Sequence, residues 1–442
     1  MKENEPVNVQ ETSNKPINKV IHQNNLINPQ PYEEMKNSAI SRTSEIIDKF
    51  GPRLTTTESC RKAADAIYNE LNQYCDKAYS EDIQIQPYGA LVFHKYMISL
   101  YFVALFFMWI NMPSISLICL ITSILIFVFE FLLSYKVVER FHKAGTARNV
   151  HGYINPEGEV ENIIIFSGHH DSAHIFNFYV DHPEMYQVRE KRFLIVYAMF
   201  FITVVYHAIS SIKNFGLFGH CSPTKRSLII SLIFTIGSRF IVPIWGFLNE
   251  EGTCGAGDNL ISSSVAVELA KYYSEHRDLL KHTKLVFISY DAEETLLRGS
   301  REFWRMHKHE YEGKHVWNVN SDCPYFVDEI SFLVSDINGF LPLSEKLANK
   351  LVEISHELGL KEVKTKKLLC LAGGTDAAEA QKVGIQATTL LGVPYTNKDR
   401  HGRDVVYHTA RDTIEAVEPE AVSAMLAIFT KFVEKTEAGE LE

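Results

Sequence analysis

Histidine and acidic residues stand directly after several short apolar segments of this 442-residue sequence. The segments have the length and composition of buried strands. In folds that alternate strands and helices, ligand-binding side chains gather where strands end and loops begin. The residues at these places, or at the start of a following helix, are in chain order His169, Asp258, Glu293, Glu294, Asp322 and His408.

Imidazole nitrogens and carboxylate oxygens are ligands that zinc accepts without any cysteine. One such residue is weak evidence, because a lone histidine at a strand end is most often structural. The whole set predicts a metal site. Two metal ions about 4 Å apart can activate a shared water and polarise a carbonyl group. Adjacent Glu293 and Glu294 suit such a site if they lie on a turn, because on a regular strand they would point to opposite faces.

These residues lie in short motifs that resemble those of the di-zinc aminopeptidase family, whose superfamily also contains glutamate carboxypeptidases and glutaminyl cyclases. The motifs occur in the family's order and are Gly168-His169-His170-Asp171, Gly255-Ala256-Gly257-Asp258-Asn259, Glu293-Glu294, Ser321-Asp322 and Tyr407-His408-Thr409. The resemblance covers roughly residues 145 to 435, without an apolar insertion. It implies a zinc-dependent exopeptidase, which we expect to be an aminopeptidase.

The resemblance also implies the ligands of two zinc ions per chain. Asp258 would bridge both ions through its two oxygens. His169 and Asp322 would complete the coordination of the first ion. Glu294 and His408 would complete that of the second.

Three further roles follow from the resemblance. Glu293 would be the general base rather than a ligand. Asp171 would orient a ligand from behind. Tyr407 stands where some family members hold a residue that polarises the substrate carbonyl, and His170 is not expected to be a ligand.

Two other groups of residues leave their roles open. The run Gly373-Gly374-Thr375-Asp376 could form a loop beside the substrate or a plain helix N-cap. A basic cluster could meet a substrate carboxylate or phosphate, although a solvated loop is the more ordinary interpretation. Its members are Lys398, Arg400, His401 and Arg403.

The elements that must position these residues alternate between strands and helices. Strands are predicted at 81–92, 162–166, 284–290, 316–320, 330–334 and 386–391. Helices are predicted within 34–79 and at 259–275, 343–358, 376–382 and 419–434. This order predicts an α/β fold with a mixed, mostly parallel central sheet flanked by helices.

Four long apolar runs interrupt this pattern in two pairs, at 96–112 with 114–135 and at 193–212 with 227–248. Each has about the 20 residues that a membrane-spanning helix needs. We therefore expect four inserted transmembrane helices in two hairpins. Glu130 and Arg239 lie within the runs and should face each other, a cavity or the membrane boundary, because a charge in lipid is costly.

Basic residues flank the runs unequally. Seven lie on the side of the long hydrophilic segments: Lys95, Lys136, Arg140, Lys143, Arg189, Lys191 and Arg192. Three lie on the other side: Lys213, Lys225 and Arg226. The positive-inside rule then predicts a multi-pass integral membrane protein whose peptidase domain faces the cytosol.

The expected organisation has six parts. They are a flexible tail at 1–32, peptidase segments at 33–92, 137–192 and 249–442, and transmembrane hairpins at 93–136 and 193–248. The tail lacks the apolar core of a secretory signal peptide.

Composition limits the classes of partner. A formal net charge of -10 without a long basic block predicts no nucleic-acid partner. Seven dispersed cysteines favour neither a disulfide framework nor a zinc finger. The expected partners are the lipid bilayer and a peptide or protein N-terminus as substrate. The alternatives are a glutaminyl cyclase-like acyltransferase and a non-catalytic membrane scaffold on the same fold.

Overall fold

A computed structural model of this protein describes residues 29–220, 222–396 and 398–440. Most of the predicted flexible tail, residues 1–32, lies outside the described residues. Its last four positions, 29–32, open the first helix instead.

A large mixed sheet forms the centre of the protein. The strands in the described residues are β1 (Lys77–Ile85), β2 (Gly145–Ile154), β3 (Asn162–His169), β4 (His174–Phe176), β5 (Leu248–Gly252), β6 (Thr283–Tyr290), β7 (His315–Asp322), β8 (Ser331–Asp336), β9 (Leu341–Pro342), β10 (Lys364–Lys367) and β11 (Gln386–Leu391). Nine of them form one sheet in the order β1-β2-β6-β3-β7-β11-β8-β10, with β9 beside β8. The central strands β6, β3, β7 and β11 are parallel to one another.

The described residues contain thirteen α-helices. They are α1 (Pro29–Phe50), α2 (Glu58–Tyr74), α3 (Pro87–Leu91), α4 (Phe93–Trp109), α5 (Pro113–Ile126), α6 (Asn177–Val180), α7 (Tyr186–Phe215), α8 (Lys225–Gly237), α9 (Ile261–Glu275), α10 (Arg298–Tyr311), α11 (Glu345–Glu357), α12 (Ala377–Lys382) and α13 (Pro419–Glu437). Helices α1, α2, α9 and α13 contact one another, and α10 contacts α12. Strand β3 is buried along nearly all its length, as expected for a central parallel strand.

The predicted fold class is confirmed, and most predicted strands and helices lie within a few residues of the observed ones. The strand expected at 81–92 is wrong in its second half. Strand β1 ends at Ile85, and α3 begins at Pro87. Proline cannot donate to a sheet, whereas its fixed φ suits the first turn of a helix.

The expectation of four membrane-spanning helices is also wrong. Three helical segments in the described residues are long and apolar enough to span a membrane: Pro113–Leu132, Pro183–Phe215 and Lys225–Gly246. The first apolar run forms α4, which has only 17 residues. The chain turns after Trp109, where Asn111 adopts a positive φ of 56° before Pro113.

The two charged residues of the apolar runs do not face each other. Glu130 lies in a π-helical turn, Phe127–Leu132, and is fully buried beside Arg298 of the sheet domain. Arg239 is exposed and lies over the ring of Phe240 at 4.5 Å. Helix α8 ends at Gly237, just before Arg239, and shorter 3-10 turns follow.

Strand pairing fixes where each apolar insertion begins and ends. Strand β1 pairs with β2 across the first insertion, and β4 pairs with β5 across the second. Each insertion therefore returns to the side of the sheet domain from which it left.

Candidate metal centre

The parallel strands bring two of the predicted site residues, and the loop that carries two more, to one edge of the sheet. His169 is the last residue of β3 and pairs in register with Tyr290, the last residue of β6. Asp322 is the last residue of β7, on the other side of β3. Because the carboxyl ends of parallel strands meet at one edge, His169, Asp322 and the loop after β6 converge there.

Asp258 reaches this edge from a π-helical turn, Ala256–Leu260, that precedes α9. The neighbouring amide of Asn259 donates to the backbone oxygen of Ser321 at 2.7 Å, which ties the turn to the end of β7. Behind it, the carboxylate of Asp412 accepts the backbone N–H groups of Gly257 and Asp258 at 2.9 and 3.2 Å. The chain is therefore fixed on both sides of Asp258.

Close packing brings this turn and its helix onto β3. A Cβ atom at Gly168 would lie 2.7 Å from the Cβ of Ser262 on α9. Any side chain at position 168 would therefore push α9 away from the strand. The glycine before His169 is a packing requirement.

Glu293 and Glu294 lie on a turn, which is the arrangement expected for a general base next to a metal ligand. The strand ends at Tyr290, and Ala292 adopts a positive φ of 61°. The two oxygens of Asp171 accept the backbone N–H groups of Glu293 and Glu294, each at 3.2 Å. Asp171 also lies 3.2 Å from Nδ1 of His169, so it holds one histidine and one loop together.

His408 enters from the irregular segment between β11 and α13. Its backbone oxygen accepts the N–H of Phe176 at 3.0 Å, and its ring meets that of Phe176 edge-on at 4.1 Å. The ring of Tyr407 stacks on His408 with centroids 3.8 Å apart. Aromatic side chains therefore cover two sides of this imidazole.

The predicted ligands form two groups of three that share Asp258. The first group is His169, Asp258 and Asp322, and the second is Asp258, Glu294 and His408. In each group the candidate ligand atoms all lie within 4.8 Å of one another. Glu293 lies beside the first group, with Oε2 at 3.8 Å from Nε2 of His169.

Several atoms of this cluster are buried and make no hydrogen bond of good geometry to another described residue, even where a ligand atom lies 3.0 Å away. They are Nε2 of His169, Oδ2 of Asp258, Oε1 of Glu294 and both ring nitrogens of His408. Buried polar atoms in native proteins rarely lack partners. Four carboxylates also crowd around two imidazoles, which is a donor set suited to divalent cations. The residues present therefore fit a metal centre.

The electrostatics of the cluster agree with this fit. Burial raises the pKa of Glu294 to about 7, and the charge of Asp258 adds to the effect. Burial likewise raises the pKa of Asp322 to about 7. Burial opposes the charged form of His408, but Glu294 and Asp258 outweigh it and raise its pKa to about 10. The carboxylates thus need positive charge, which a metal ion would supply in place of a protonated imidazole.

Other predicted residues are not members of the two groups. His170 is buried with its Nδ1 at 2.8 Å from the hydroxyl of Ser289, away from both groups. Thr375 does not cap α12, because its hydroxyl donates to Asp336 and its backbone N–H does the same. Asp376 occupies the N-cap position but makes no side-chain capping bond.

The basic cluster pairs with acidic residues of the protein itself. Its contacts are Lys398 with Asp404, Arg400 with Glu329, His401 with Asp328 and Arg403 with Asp399. These pairs agree with a solvated loop rather than a substrate site.

Some residues that shape the centre were not singled out from the sequence. Asp412 follows Thr409 of the last motif by three positions, but no local pattern indicates that its carboxylate holds the turn before α9. Phe176 belongs to a short strand that the hydropathy pattern did not reveal. A cavity of about 220 Å³ opens beside Glu294 and is mostly apolar. Residues that line it include Leu54, Pro87, Tyr88, Leu91, His174 and Glu294.

Comparison with known families gives one match, which covers part of the chain. The sequence model of Peptidase family M28 matches residues 240–433. This range contains all of the second group and Asp322, whereas His169 lies before it, on the other side of the second apolar insertion. No curated protein sequence matches the chain.

Solved structures with the same fold include three that cover nearly the whole chain. A glutaminyl cyclase from Bacteroides thetaiotaomicron has a TM-score of 0.52 at 12% identity, covering 90% of this chain and 97% of that chain. A Zn-dependent exopeptidase from Parabacteroides distasonis has a TM-score of 0.50 at 13% identity, with the same two coverages. A leucine aminopeptidase precursor from B. thetaiotaomicron has a TM-score of 0.52 at 12% identity, covering 90% and 96%. The family resemblance predicted from the motifs is confirmed.

Proposed function

We propose that this M28 domain is a zinc-dependent exopeptidase, an aminopeptidase with two zinc ions, anchored to a membrane by its apolar insertions. The observation that carries the proposal is the pair of ligand groups that share Asp258. A single ion would leave one of the two groups, with its unpartnered buried atoms, unexplained.

Each residue of the site has a separate role in metal binding or proton transfer. His169 and Asp322 would hold one ion, Glu294 and His408 the other, and Asp258 both. When bound, two such ions lower the pKa of a water between them and polarise the scissile carbonyl. Glu293 accepts a proton from the attacking water and passes it to the leaving amine. Its raised pKa, caused first by burial, suits a group that must hold a proton between these steps.

Tyr407 would direct its hydroxyl to the substrate carbonyl. The stacked ring of His408 sets the plane of the Tyr407 ring, and Tyr179 meets it edge-on at 5.8 Å. A phenol held in this way is a preorganised hydrogen-bond donor.

Contacts between the apolar insertions and the site support a position close to the bilayer. Phe247, at the end of the second insertion, packs against Phe176 at 4.4 Å, and Phe176 packs against His408. Pro87, Tyr88 and Leu91, which lead into α4, line the cavity beside Glu294. The proposed substrate is a short peptide or the N-terminus of a membrane-associated protein. The excess of basic residues on the side of the long hydrophilic segments supports a cytosolic peptidase domain.

The decisive experiment is the zinc content of the detergent-purified protein beside Asp258→Ala, with a panel of aminoacyl fluorogenic substrates. We expect two zinc ions per wild-type chain, turnover of at least one substrate, and loss of both in the variant. Zero or one zinc ion without turnover would refute the proposal. One zinc ion together with cyclisation of an N-terminal glutamine would establish the glutaminyl cyclase alternative.

A further inference from the structure

The loop that bears Glu293 and Glu294 is conformationally costly. Three residues of it, Ala292, Leu296 and Leu297, adopt left-handed φ angles of 61° to 62° although none is glycine. Left-handed φ angles are unfavourable for residues that carry a Cβ atom. A loop of this kind keeps one shape only where its surroundings over-determine it.

One side of the loop is held within the sheet domain. Asp171 accepts the N–H groups of both glutamates, and Arg298 and Leu297 donate back to the oxygens of Ala292 and Glu293 at 2.9 and 2.8 Å. These bonds fix the start of the loop. They leave its far end, at Leu296, without a backbone partner from the sheet.

The far end is held by the segment that leaves the first apolar insertion, residues 130–139. The hydroxyl of Ser134 donates to the backbone oxygen of Leu296 at 2.9 Å. Nη1 of Arg298 donates to the same oxygen at 3.1 Å and to the oxygen of Ser134 at 2.7 Å. Nη2 of Arg298 donates to the oxygen of Tyr135 at 3.3 Å. One guanidinium therefore joins this segment to the loop.

Buried carboxylates complete the environment of Arg298, which is 1% exposed. Its Nε donates to Glu139 at 2.9 Å, and Glu130 lies 3.8 Å from Nη2. Glu130 in turn accepts the backbone N–H groups of Val137 and Val138 at 2.7 and 2.8 Å, which shapes the segment itself. A guanidinium can serve five acceptors in a fixed plane, which an ammonium cannot.

We propose that Arg298 is a positioning residue through which segment 130–139, at the end of the first membrane insertion, sets the place of Glu293 and Glu294. The first insertion then helps to position residues of the active site and also serves as an anchor. This inference rests on the proposed function of that site, because it assigns a purpose to the position of Glu294.

The test compares Arg298→Lys with Arg42→Lys in the full-length, detergent-purified protein. Lysine at 298 keeps a positive charge beside Glu130 and Glu139, so the variant avoids unpaired buried carboxylates, but it loses the bonds to the three backbone oxygens. Arg42 is the matched control, since it is 9% exposed and ion-paired with Glu70 and Glu268 away from the loop. Both substitutions remove a buried guanidinium.

We expect Arg298→Lys to weaken the binding of one zinc ion about tenfold or more, which is the effect of losing a group that orients a ligand. Hydrogen exchange at Leu297 and Arg298 should also accelerate in this variant, and kcat should fall while KM changes less. Arg42→Lys should lower the melting temperature without any of these changes. Unaltered exchange in the loop, or equal effects of the two substitutions, would overturn the inference.

Failure of the proposed function has a different signature. A wild-type protein that binds zinc but hydrolyses no peptide refutes the peptidase assignment and leaves the zinc and exchange comparisons valid. A wild-type protein that binds no zinc refutes the metal centre. In that case, faster exchange confined to Arg298→Lys still supports the coupling of segment 130–139 to the loop, and its absence refutes it.

Discussion

The two oxygens of Asp258 face two different histidines. Oδ1 lies 3.3 Å from Nε2 of His169, and Oδ2 lies 3.0 Å from Nε2 of His408. Asp258 is thus shared by the two ligand groups, and a further group joins His169 and Glu294 with Glu293.

This arrangement predicts unequal losses of metal among single substitutions. Asp322→Ala or His408→Ala should remove one zinc ion and leave the other, because each residue serves one group. Measurement of zinc per chain after gel filtration checks this, with circular dichroism as the control for folding. Loss of both ions in Asp322→Ala, with an intact fold, would contradict independent groups.

Substitution of the base should separate metal binding from catalysis. Glu293→Gln keeps the size of the side chain but cannot accept a proton. We expect two zinc ions to remain and kcat to fall about 10²- to 10⁴-fold, the usual contribution of a general base. Zinc content and steady-state kinetics measured on the same preparation decide the matter. A variant that loses zinc in proportion to its activity would make Glu293 a ligand instead.

Tyr407 offers a test of the hydroxyl alone. Tyr407→Phe keeps the ring stacked on His408 and removes only the donor. If the phenol stabilises the oxyanion, kcat should fall about 100-fold with little change in KM. Equal activity of Tyr407→Phe and wild type, beside a damaged Tyr407→Ala, would assign Tyr407 to packing of His408.

A pH-dependent contribution to stability should come from His307, which joins α10 to β1. Its Nε2 bonds Glu81 at 2.8 Å and its Nδ1 bonds Glu310 at 2.6 Å. The bond to Glu81 is the main cause that raises the pKa of His307 above the ordinary value. The protonated form is favoured in the folded state, so this stability is complete below about pH 6.5 and is lost as pH rises through the higher folded pKa.

His307→Gln should therefore cost about 1 kcal/mol at pH 6, since the pair is partly exposed, and less at pH 9. Melting temperatures of both proteins at the two pH values check this. A difference that does not change with pH would show that the imidazolium is not the stabilising species.

The second insertion predicts opposite faces for its tip and for the sheet domain. Phe218 lies near the tip and is 69% exposed, and Cys370 is exposed on the sheet domain. In a Phe218→Cys variant that otherwise retains only Cys370, an impermeant maleimide should label position 218 in intact cells and Cys370 only after permeabilisation. Labelling of both positions from the same side would exclude a spanning hairpin at 193–248.

Local patterns were enough to predict the candidate ligands. Most of the ligands stand close to the end of a strand or the start of a helix, whereas His408 lies in an irregular segment and is marked only by its short motif. The segment 81–92 shows the limit of such patterns. The alternation of apolar and polar residues predicts a strand that continues past Pro87, whereas the strand ends at Ile85 and a helix begins at Pro87. The ligand assignment itself stays a prediction until metal is measured.

Contacts between distant parts of the chain escaped prediction. Glu130 could be recognised from sequence as a misplaced charge, but its partner lies 168 positions away at Arg298. Such a pair has no local signature, because both residues are buried only after the insertion has packed on the sheet domain. The role of Asp412 was hidden for the same reason, because its carboxylate accepts a backbone N–H group that lies 155 positions earlier in the chain.

The position of β3 in the sheet determines when the site can form during synthesis of the protein. This strand lies between β6 and β7, yet both neighbours are synthesised only after the second insertion. During translation, residues 193–248 therefore leave the ribosome before either strand that flanks β3, and His408 follows both of these strands. The proposed metal centre can therefore be complete only after both apolar insertions have been synthesised.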